Sequence, residues 1–218
     1  MNVLIVDGHP DRDRLLTHLL DHYRSSLPAE VTVTRINVRE LVFSPNLERG
    51  YAAAGQSEEP DLQRVKAAMV ACDHMVVAFP LWWGGEPAML KGLMDRVLLP
   101  GFAFKYHRGD VWWDRLMTGR SADVIVTMDT PPWYLRLAFG DPVMRRWRRQ
   151  ILGFCGFGPV RAYRFGPTRR GAAKKRIRGW ETELARAARG VLTLRRPKKT
   201  DPQREGKDFG EAIGDGMA

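Results

Sequence analysis

The sequence predicts an α/β domain built on a doubly wound parallel sheet. Three observations support this: several of the predicted strands are apolar runs, strand and helix patterns alternate, and the helices carry apolar residues at helical spacing. With 218 residues and an apolar fraction of 44%, the chain can bury one sizeable core. We place this domain at residues 1–194 and expect the polar remainder, residues 195–218, to be a disordered tail.

The first half of the chain alternates three predicted strands with three predicted helices. In order, these are strand 3–6, a leucine-rich helix over 15–20, an outer strand at 31–36, helix 62–71, strand 74–80 and a helix from Pro87. Asp11 or Asp13 is expected to cap the first helix. The stretch 44–61 is rich in proline, glycine and acidic residues and is predicted to be a loop.

The second half continues the same alternation. Its predicted elements are strand 124–128, a helix from about Asp141, strand 160–165 and an amphipathic helix over 171–190. Five strands of this kind favour the flavodoxin-like strand order 2-1-3-4-5 over a six-stranded dinucleotide-binding domain.

The net charge of +10 is unevenly distributed, with −3 on residues 1–135 and +13 on residues 136–218. Two interpretations of the basic third stay open: an anionic partner, or a solvated surface that keeps the protein soluble. For the arginines at 145–149, the candidates are the anionic end of FAD or NADPH, a peripheral membrane contact, or a solvated helix face. No nucleic-acid-binding motif is present, so no nucleic-acid partner is expected.

Composition also bears on location and metal binding. No apolar run approaches the roughly 18 residues of a membrane-spanning helix. The first residues lead directly into a strand pattern, so no signal peptide is expected. Cys72 and Cys155 form neither a metal signature nor a disulfide framework. We therefore expect a cytoplasmic protein without a metal site.

Ligands of open parallel sheets gather beyond the carboxyl ends of the strands. Three loops are predicted there, at 8–10, 80–85 and 129–134, after the first, third and fourth strands. The first loop lacks a nucleotide-binding glycine fingerprint but places His9 and Arg14 at a helix start, which favours phosphate over a merely solvated helix end. The second loop carries Trp82 and Trp83 followed by two glycines. A flat ring stacked on indole and approached by backbone N–H groups would fit there; alternatively, both indoles cover the sheet edge.

The stretch from Phe79 to Val97 reads F-P-L-W-W-G-G-E-P-A-M-L-K-G-L-M-D-R-V, and G-F-A-F follows at 101–104. It resembles the central block of the NAD(P)H:quinone oxidoreductases, the family of DT-diaphorase and of the ancillary oxidoreductases of potassium efflux systems. The segments 8–10 and 154–157 are also similar to parts of that family.

The resemblance implies a homodimer with a tightly held flavin, FAD or FMN, that NAD(P)H reduces and a quinone reoxidises. FAD is favoured by the chain length and by the arginine-rich C-terminal third. The flavin-binding positions implied by the family are His9, Arg14, Pro80, Leu81, Trp82, Trp83, Gly84 and Thr130. Tyr134 is implied to face the substrate as the catalytic residue.

The sequence departs from the family pattern in three places, and in the first of them Arg14 stands where the family usually carries a small polar residue. Leu16 stands where the family carries an asparagine donor, and Phe139 stands where it carries a histidine. The two prolines after Thr130 cannot supply N–H donors to a flavin. Two functions therefore stay open: a flavin-dependent reductase, or a flavodoxin-like docking module of a membrane transporter with weak or lost activity.

Overall fold

The computed structural model describes residues 1–48, 50, 58–107, 111–169 and 171–199. Its main sheet has five parallel strands, β1 (Asn2–Asp7), β2 (Thr32–Asn37), β3 (His74–Pro80), β6 (Ser121–Thr127) and β7 (Val160–Phe165). They lie in the order β2-β1-β3-β6-β7, which confirms the predicted flavodoxin-like order. Every residue of β3 and β6 is buried, including the polar side chains of His74, Ser121, Asp123 and Thr127.

Helices cover both faces of this sheet. They are α1 (Leu15–Ser25), α2 (Pro60–Ala71), α3 (Ala88–Val97), α4 (Pro132–Phe139), α5 (Pro142–Arg145), α6 (Gly153–Cys155) and α7 (Ile177–Arg189). A π-helix, Arg146–Leu152, joins α5 to α6. Two apolar clusters result: one packs α1 and α7 on one face, and the other packs α2, α3 and the helical run 142–155 on the opposite face.

Three elements differ from those expected. Residues 104–106 and 113–115 form a short antiparallel hairpin, β4 (Phe104–Tyr106) with β5 (Trp113–Arg115), whose three-residue strands carry too little pattern to be recognised. The prolines after Thr130 begin α4 because proline is compatible with the first turn of a helix. The last helix begins at Ile177 rather than near residue 171.

The expected aspartate cap of α1 is wrong. Arg14 occupies the N-cap position in an extended conformation, and its side chain makes no capping hydrogen bond. Asp11 instead accepts hydrogen bonds from the backbone N–H of Arg12 (2.8 Å) and from Nε of Arg14 (2.6 Å). The first-turn N–H groups of α1 therefore remain without a side-chain cap.

The chain stays in contact with the domain beyond Leu194. Arg196 donates hydrogen bonds to the backbone oxygens of Asp73 (3.1 Å) and Val191 (2.7 Å), and to Oγ of Ser121 (3.0 Å). Of the predicted tail, residues 200–218 lie outside the described residues. Among the helices that the structure describes, none combines the length and the apolarity needed to cross a membrane.

Candidate functional site

A cavity of about 410 Å³ opens at the carboxyl edge of the sheet, where the three predicted loops converge. His9, Arg14 and the first turn of α1 line one side, and Pro80, Leu81 and Trp82 line another. The remaining wall comes from residues 127–129 and from Thr168. The cavity therefore joins a helix start to an apolar wall bearing an indole.

The first loop runs close to the sheet because Gly8 lacks a side chain. A Cβ there would lie 2.6 Å from Leu90 Cδ2, and the N–H of Gly8 donates to the Ala78 oxygen at 2.8 Å. The Nδ1 atom of His9 accepts the N–H of Asp11 at 3.0 Å, which assigns the proton of the neutral ring to Nε2. Burial lowers the pKa of His9, with a smaller contribution from Arg14, and this outweighs the opposing effect of Asp7.

Asp7, the last residue of β1, stabilises this loop through its side chain, a role that the sequence analysis missed. Its side chain is fully buried, accepts the N–H of His9 at 3.1 Å and lies 3.0 Å from both Arg35 and Arg39. Arg39 also donates to the backbone oxygen of His9 at 3.4 Å. An aspartate at the end of a buried strand was the available signal, but its arginine partners become neighbours only once β2 pairs with β1.

The second loop is a tight two-residue turn. Trp82 and Gly85 exchange two backbone hydrogen bonds of 2.9 Å, and Trp83 and Gly84 between them adopt left-handed backbone angles (φ 52° and 81°). Trp82 is half-exposed and meets the ring of His9 edge-on, with centroids 6.2 Å apart. Trp83 is fully exposed in a conformation that side-chain-bearing residues rarely adopt.

Glu86 anchors the turn from behind. Its side chain is 2% exposed and accepts hydrogen bonds from Arg146 and from Nε1 of Trp147 (3.2 Å). Both donors belong to the π-helix. The second carboxylate oxygen of Glu86 has no hydrogen-bond partner in the described structure. The glutamate thus ties the loop of the candidate site to a widened helix turn, a feature found at many functional sites.

The third wall depends on Thr168, another residue that the sequence analysis missed. Its hydroxyl donates to Asp129 Oδ1 at 2.7 Å, and its N–H donates to the Met128 oxygen at 3.1 Å. Gly166 permits this approach, since a Cβ there would lie 2.6 Å from the Met128 oxygen. The loop after β7 therefore closes over the end of β6, an approach with no signal in the local sequence.

The cavity collects five of the predicted residues, namely His9, Arg14, Pro80, Leu81 and Trp82. Trp83, Gly84, Thr130 and Tyr134 do not line it. Tyr134 lies on α4, 45% exposed, with its ring centroid 5.7 Å from those of Trp133 and Phe139. We call the exposed side chains of Trp133, Tyr134, Leu137 and Phe139 the aromatic patch.

Neither thiol is exposed, and the described residues hold no cluster of metal ligands. Within them, no group of three His, Cys, Asp or Glu side chains could hold a metal ion. Cys72 and Cys155 are free and buried, and burial raises their pKa values to about 11 and about 12. Both are therefore unreactive thiols at neutral pH.

Curated relatives include several oxidoreductases. The chain is 30% identical over 192 residues to an FMN-dependent NADH:quinone oxidoreductase of Cereibacter sphaeroides (strain KD131), an alignment covering 83% of this chain and 89% of the relative. It is 30% identical over 107 residues to the NAD(P)H oxidoreductase YcaK of Escherichia coli (strain K12), covering 47% of this chain and 55% of YcaK. The chain spans about half the length of the first curated relatives it matches, with shares of 55%, 56% and 47%.

Solved structures and the family profile agree with the fold. Smu.1420 from Streptococcus mutans UA159 superposes with a TM-score of 0.76 at 26% identity, covering 88% of this chain and all of that one. The profile of the flavodoxin-like fold family matches residues 1–188. The chain therefore belongs to the flavodoxin-like fold family and, within it, to the NAD(P)H:quinone oxidoreductases.

Proposed function

We propose that the protein is an NAD(P)H-dependent flavoprotein that passes two electrons through a bound flavin to a quinone or a similar acceptor. The observation that carries this proposal is the cavity that joins the start of α1 to the wall formed by Pro80, Leu81 and Trp82. A flavin nucleotide has the matching shape, with an anionic phosphate at one end and a flat ring at the other. The names of the relatives that cover most of this chain support the same chemistry.

The residues divide between the two ends of such a ligand. The uncapped first turn of α1 and the Nε2–H of His9 are donors for a phosphate, and the positive end of the helix favours its charge. Pro80, Leu81 and Trp82 would hold the ring and exclude water from one side. When bound, the flavin supplies the hydride-accepting and hydride-donating chemistry, so the protein has to bind and orient the reactants.

The identity of the flavin is a separate proposal. FAD was favoured because of the arginine-rich C-terminal third, yet the arginines at 145–149 line other cavities and none lines this one. Curated relatives that cover most of this chain are named FMN-dependent. We therefore propose FMN, with FAD as the alternative. Mass spectrometry of flavin released by heat distinguishes the two.

We also propose that a second copy of the chain covers the open side of the cavity. Trp83 and the aromatic patch leave large apolar side chains exposed beside it, as is typical of interaction surfaces. In such a homodimer Tyr134 would face the acceptor, while Trp83, Gly84 and Thr130 would approach the ring. Light scattering after size-exclusion chromatography should give the mass of a dimer. The peripheral membrane contact considered for the arginines at 145–149 stays a separate prediction.

The absorbance spectrum of the purified protein tests the central proposal. We expect a yellow protein, or one that turns yellow on addition of FMN. NADH or NADPH should bleach it without oxygen, and a quinone should restore the colour. A Trp82→Ala variant should bind flavin more weakly, whereas Trp112→Ala, on the hairpin, should not. A colourless protein that rejects both FMN and FAD contradicts the proposal.

The alternative is a docking module with weak or lost activity, and two observations favour it. Leu16 is 1% exposed and packs into the core, so its side chain offers no donor to the cavity. Pro131 and Pro132 form the start of α4, where neither has an N–H group. This alternative predicts a folded protein of the same dimensions that stays colourless with either flavin.

A further inference from the structure

We propose that the protein has a second ligand site, for a small phosphate-bearing anion, beside the edge strand β7. The site is a cavity of about 240 Å³ between this strand and the helical run 142–155. Four arginines line it, Arg145, Arg148, Arg149 and Arg164, and we call it the arginine pocket. It shares no lining residue with the cavity at the carboxyl edge of the sheet.

The pocket is a formed depression rather than a flat charged face. Its floor is apolar, made by Met144 and Phe157, which are 0% and 4% exposed, and by the half-buried Val160. Arg148 and Arg149 lie three and four residues after Arg145, and all three side chains line the same depression. Arg164 reaches the pocket from β7 on the other side.

One arginine of the four is held rigidly. Arg164 is 10% exposed, and its Nε atom donates to Asp141 Oδ1 at 3.1 Å while a second nitrogen bonds the other carboxylate oxygen. A third nitrogen donates to the backbone oxygen of Ala162 at 3.2 Å. Its guanidinium is therefore already fixed before a ligand arrives, which lowers the entropy lost on binding.

The other three arginines are exposed, and no residue that the structure describes supplies them with a counter-charge. In the described part of the chain, no carboxylate lies within 4.0 Å of Arg145, Arg148 or Arg149, and Asp141 is the one acidic residue that lines the pocket. Four cations against one anion leave three positive charges around one depression. Like charges at this spacing repel, so an anion that enters the pocket relieves repulsion and also gains direct bonds.

The chemistry of guanidinium points to phosphate. Its planar fork matches phosphate oxygens, and a phosphate dianion offers more acceptors and more charge than a carboxylate can. The volume sets an upper limit, because pockets for drug-sized ligands measure roughly 300–1,000 Å³. A pocket of 240 Å³ therefore suits a phosphate with a small substituent rather than a whole dinucleotide.

A phosphate monoester reaches such a pocket either as a free metabolite or as the head group of a lipid. Binding is measured by calorimetry with inorganic phosphate and with glycerol 3-phosphate, against acetate at the same ionic strength. The lipid source is tested by cosedimentation with phosphatidylcholine vesicles that do or do not contain phosphatidic acid. All measurements use the full chain with one equivalent of FMN, so that a phosphate site in the other cavity is occupied while little free FMN competes for the arginine pocket.

The decisive comparison is between two double variants with the same change in charge. Arg148→Gln with Arg149→Gln removes half of the pocket's cations, whereas Arg186→Gln with Arg189→Gln removes two exposed cations from α7 on the opposite face of the sheet. We expect phosphate to bind more tightly than acetate. We also expect the pocket variant to weaken phosphate binding roughly tenfold or more and the α7 variant to leave it unchanged.

The outcomes separate the two sources and the failure of the proposal. Loss of glycerol 3-phosphate binding in the pocket variant alone supports a free ligand. Loss of binding to phosphatidic acid vesicles in that variant alone, without binding of the free esters, supports a lipid head group. The proposal is overturned if no phosphate compound binds, or if both variants weaken binding equally, because the effect is then one of net charge. Neither result depends on whether the protein reduces quinones.

Discussion

His9 is held as a neutral imidazole by its surroundings. Its Nδ1 atom accepts a backbone N–H, and burial and Arg14 lower its pKa below the ordinary value of 6.5. Between that lowered pKa and 6.5 the folded protein binds fewer protons at this site than the unfolded chain does. This group therefore contributes stability that is complete above pH 6.5 and is lost as the pH falls through that interval.

A proton NMR titration of His9 tests both its environment and its proposed ligand. In the flavin-free protein, we expect this residue to titrate below 6.5, and Arg14→Gln to raise its pKa because a nearby cation is removed. Added FMN should raise the pKa as well, since a phosphate dianion stabilises imidazolium. An unchanged titration curve in the presence of saturating flavin would place the phosphate elsewhere.

Gly92 of α3 packs against Pro45 in the loop after β2. A Cβ at this position would lie 2.4 Å from Pro45 Cβ and 2.8 Å from its Cα and oxygen atoms. We expect Gly92→Ala to lower the free energy of unfolding by about 1–3 kcal/mol, because overpacking outweighs the gain in helix propensity.

Gly179→Ala in α7 is the matched control for this prediction. Apart from the backbone of its own helix, no atom of the described residues lies within 4 Å of the new Cβ there, so we expect unfolding in urea to show a gain of up to about 1 kcal/mol. Equal effects of the two substitutions would show that Pro45 yields to the added methyl group.

At the scale of elements, the turn from Trp82 to Gly85 depends on the π-helix behind it. Glu86→Gln removes the negative charge of the carboxylate that accepts hydrogen bonds from Arg146 and Trp147. The site is too buried for water to replace that charge. We expect a loss of about 1–3 kcal/mol in the free energy of unfolding. Glu181→Gln, which breaks a half-exposed pair with His18, should cost at most about 1 kcal/mol.

Chemical denaturation of both variants, with flavin titrations of each, measures this link. Because Glu86 supports the turn that carries Trp82, its variant should also bind flavin more weakly, while Glu181→Gln should not. If the Glu86→Gln protein is as stable as the Glu181→Gln control, the π-helix does not depend on the hydrogen bonds that Arg146 and Trp147 donate to Glu86.

The strength of local pattern explains which elements could be predicted. β3 is apolar at all but one position and β6 contains the apolar run 124–126, so the presence of both strands follows from the sequence. A three-residue hairpin strand has no such periodicity. The π-helix was missed because its residues also fit the α-helical pattern of Met144, Trp147 and Ile151 that predicted a helix there.

In the candidate site too, the residues that follow recognisable strands could be predicted, and those brought in by the folding of a distant loop could not. His9 and Trp82 follow strands that are easily recognised, and the carboxyl ends of parallel strands necessarily meet at one edge. Thr168 joins them through a hydrogen bond to Asp129, two residues that become neighbours only when the loop after β7 folds back. Trp83 was expected beside them, but the backbone of the turn directs it to solvent.

At the scale of the whole molecule, one buried polar network joins four elements at the amino edge of the sheet. Asp123 of β6 is 0% exposed and accepts hydrogen bonds from Tyr23 of α1 (2.8 Å) and from Arg161 of β7 (2.7 Å to each oxygen). His74 of β3 lies 3.4 Å away. Burial raises the pKa of Asp123, but the contacts with His74 and Arg161 outweigh it and lower the net value.

Asp123→Asn should lower the free energy of unfolding by about 3 kcal/mol or more at neutral pH, because it leaves Arg161 without its partner. Asp95→Asn, in an exposed pair with Lys91, should cost about 0.5 kcal/mol or less. Since a lowered pKa contributes stability above 3.8 that is lost as the pH falls through the folded value, the difference between wild type and Asp123→Asn should shrink in acid. A difference that is constant with pH contradicts this account.

The exposure of Trp83 has an optical consequence. The indole lies wholly in solvent beside the candidate cavity, whereas Trp147 is fully buried and Trp180 nearly so. Its fluorescence should be accessible to iodide in a single copy of the chain and shielded wherever another surface covers the turn that carries it. Trp82, Trp112 and Trp133 are also exposed, so a Trp83→Phe variant is needed to isolate that signal; with it, a side chain that stands wholly in solvent in one copy becomes a reporter of what the protein meets.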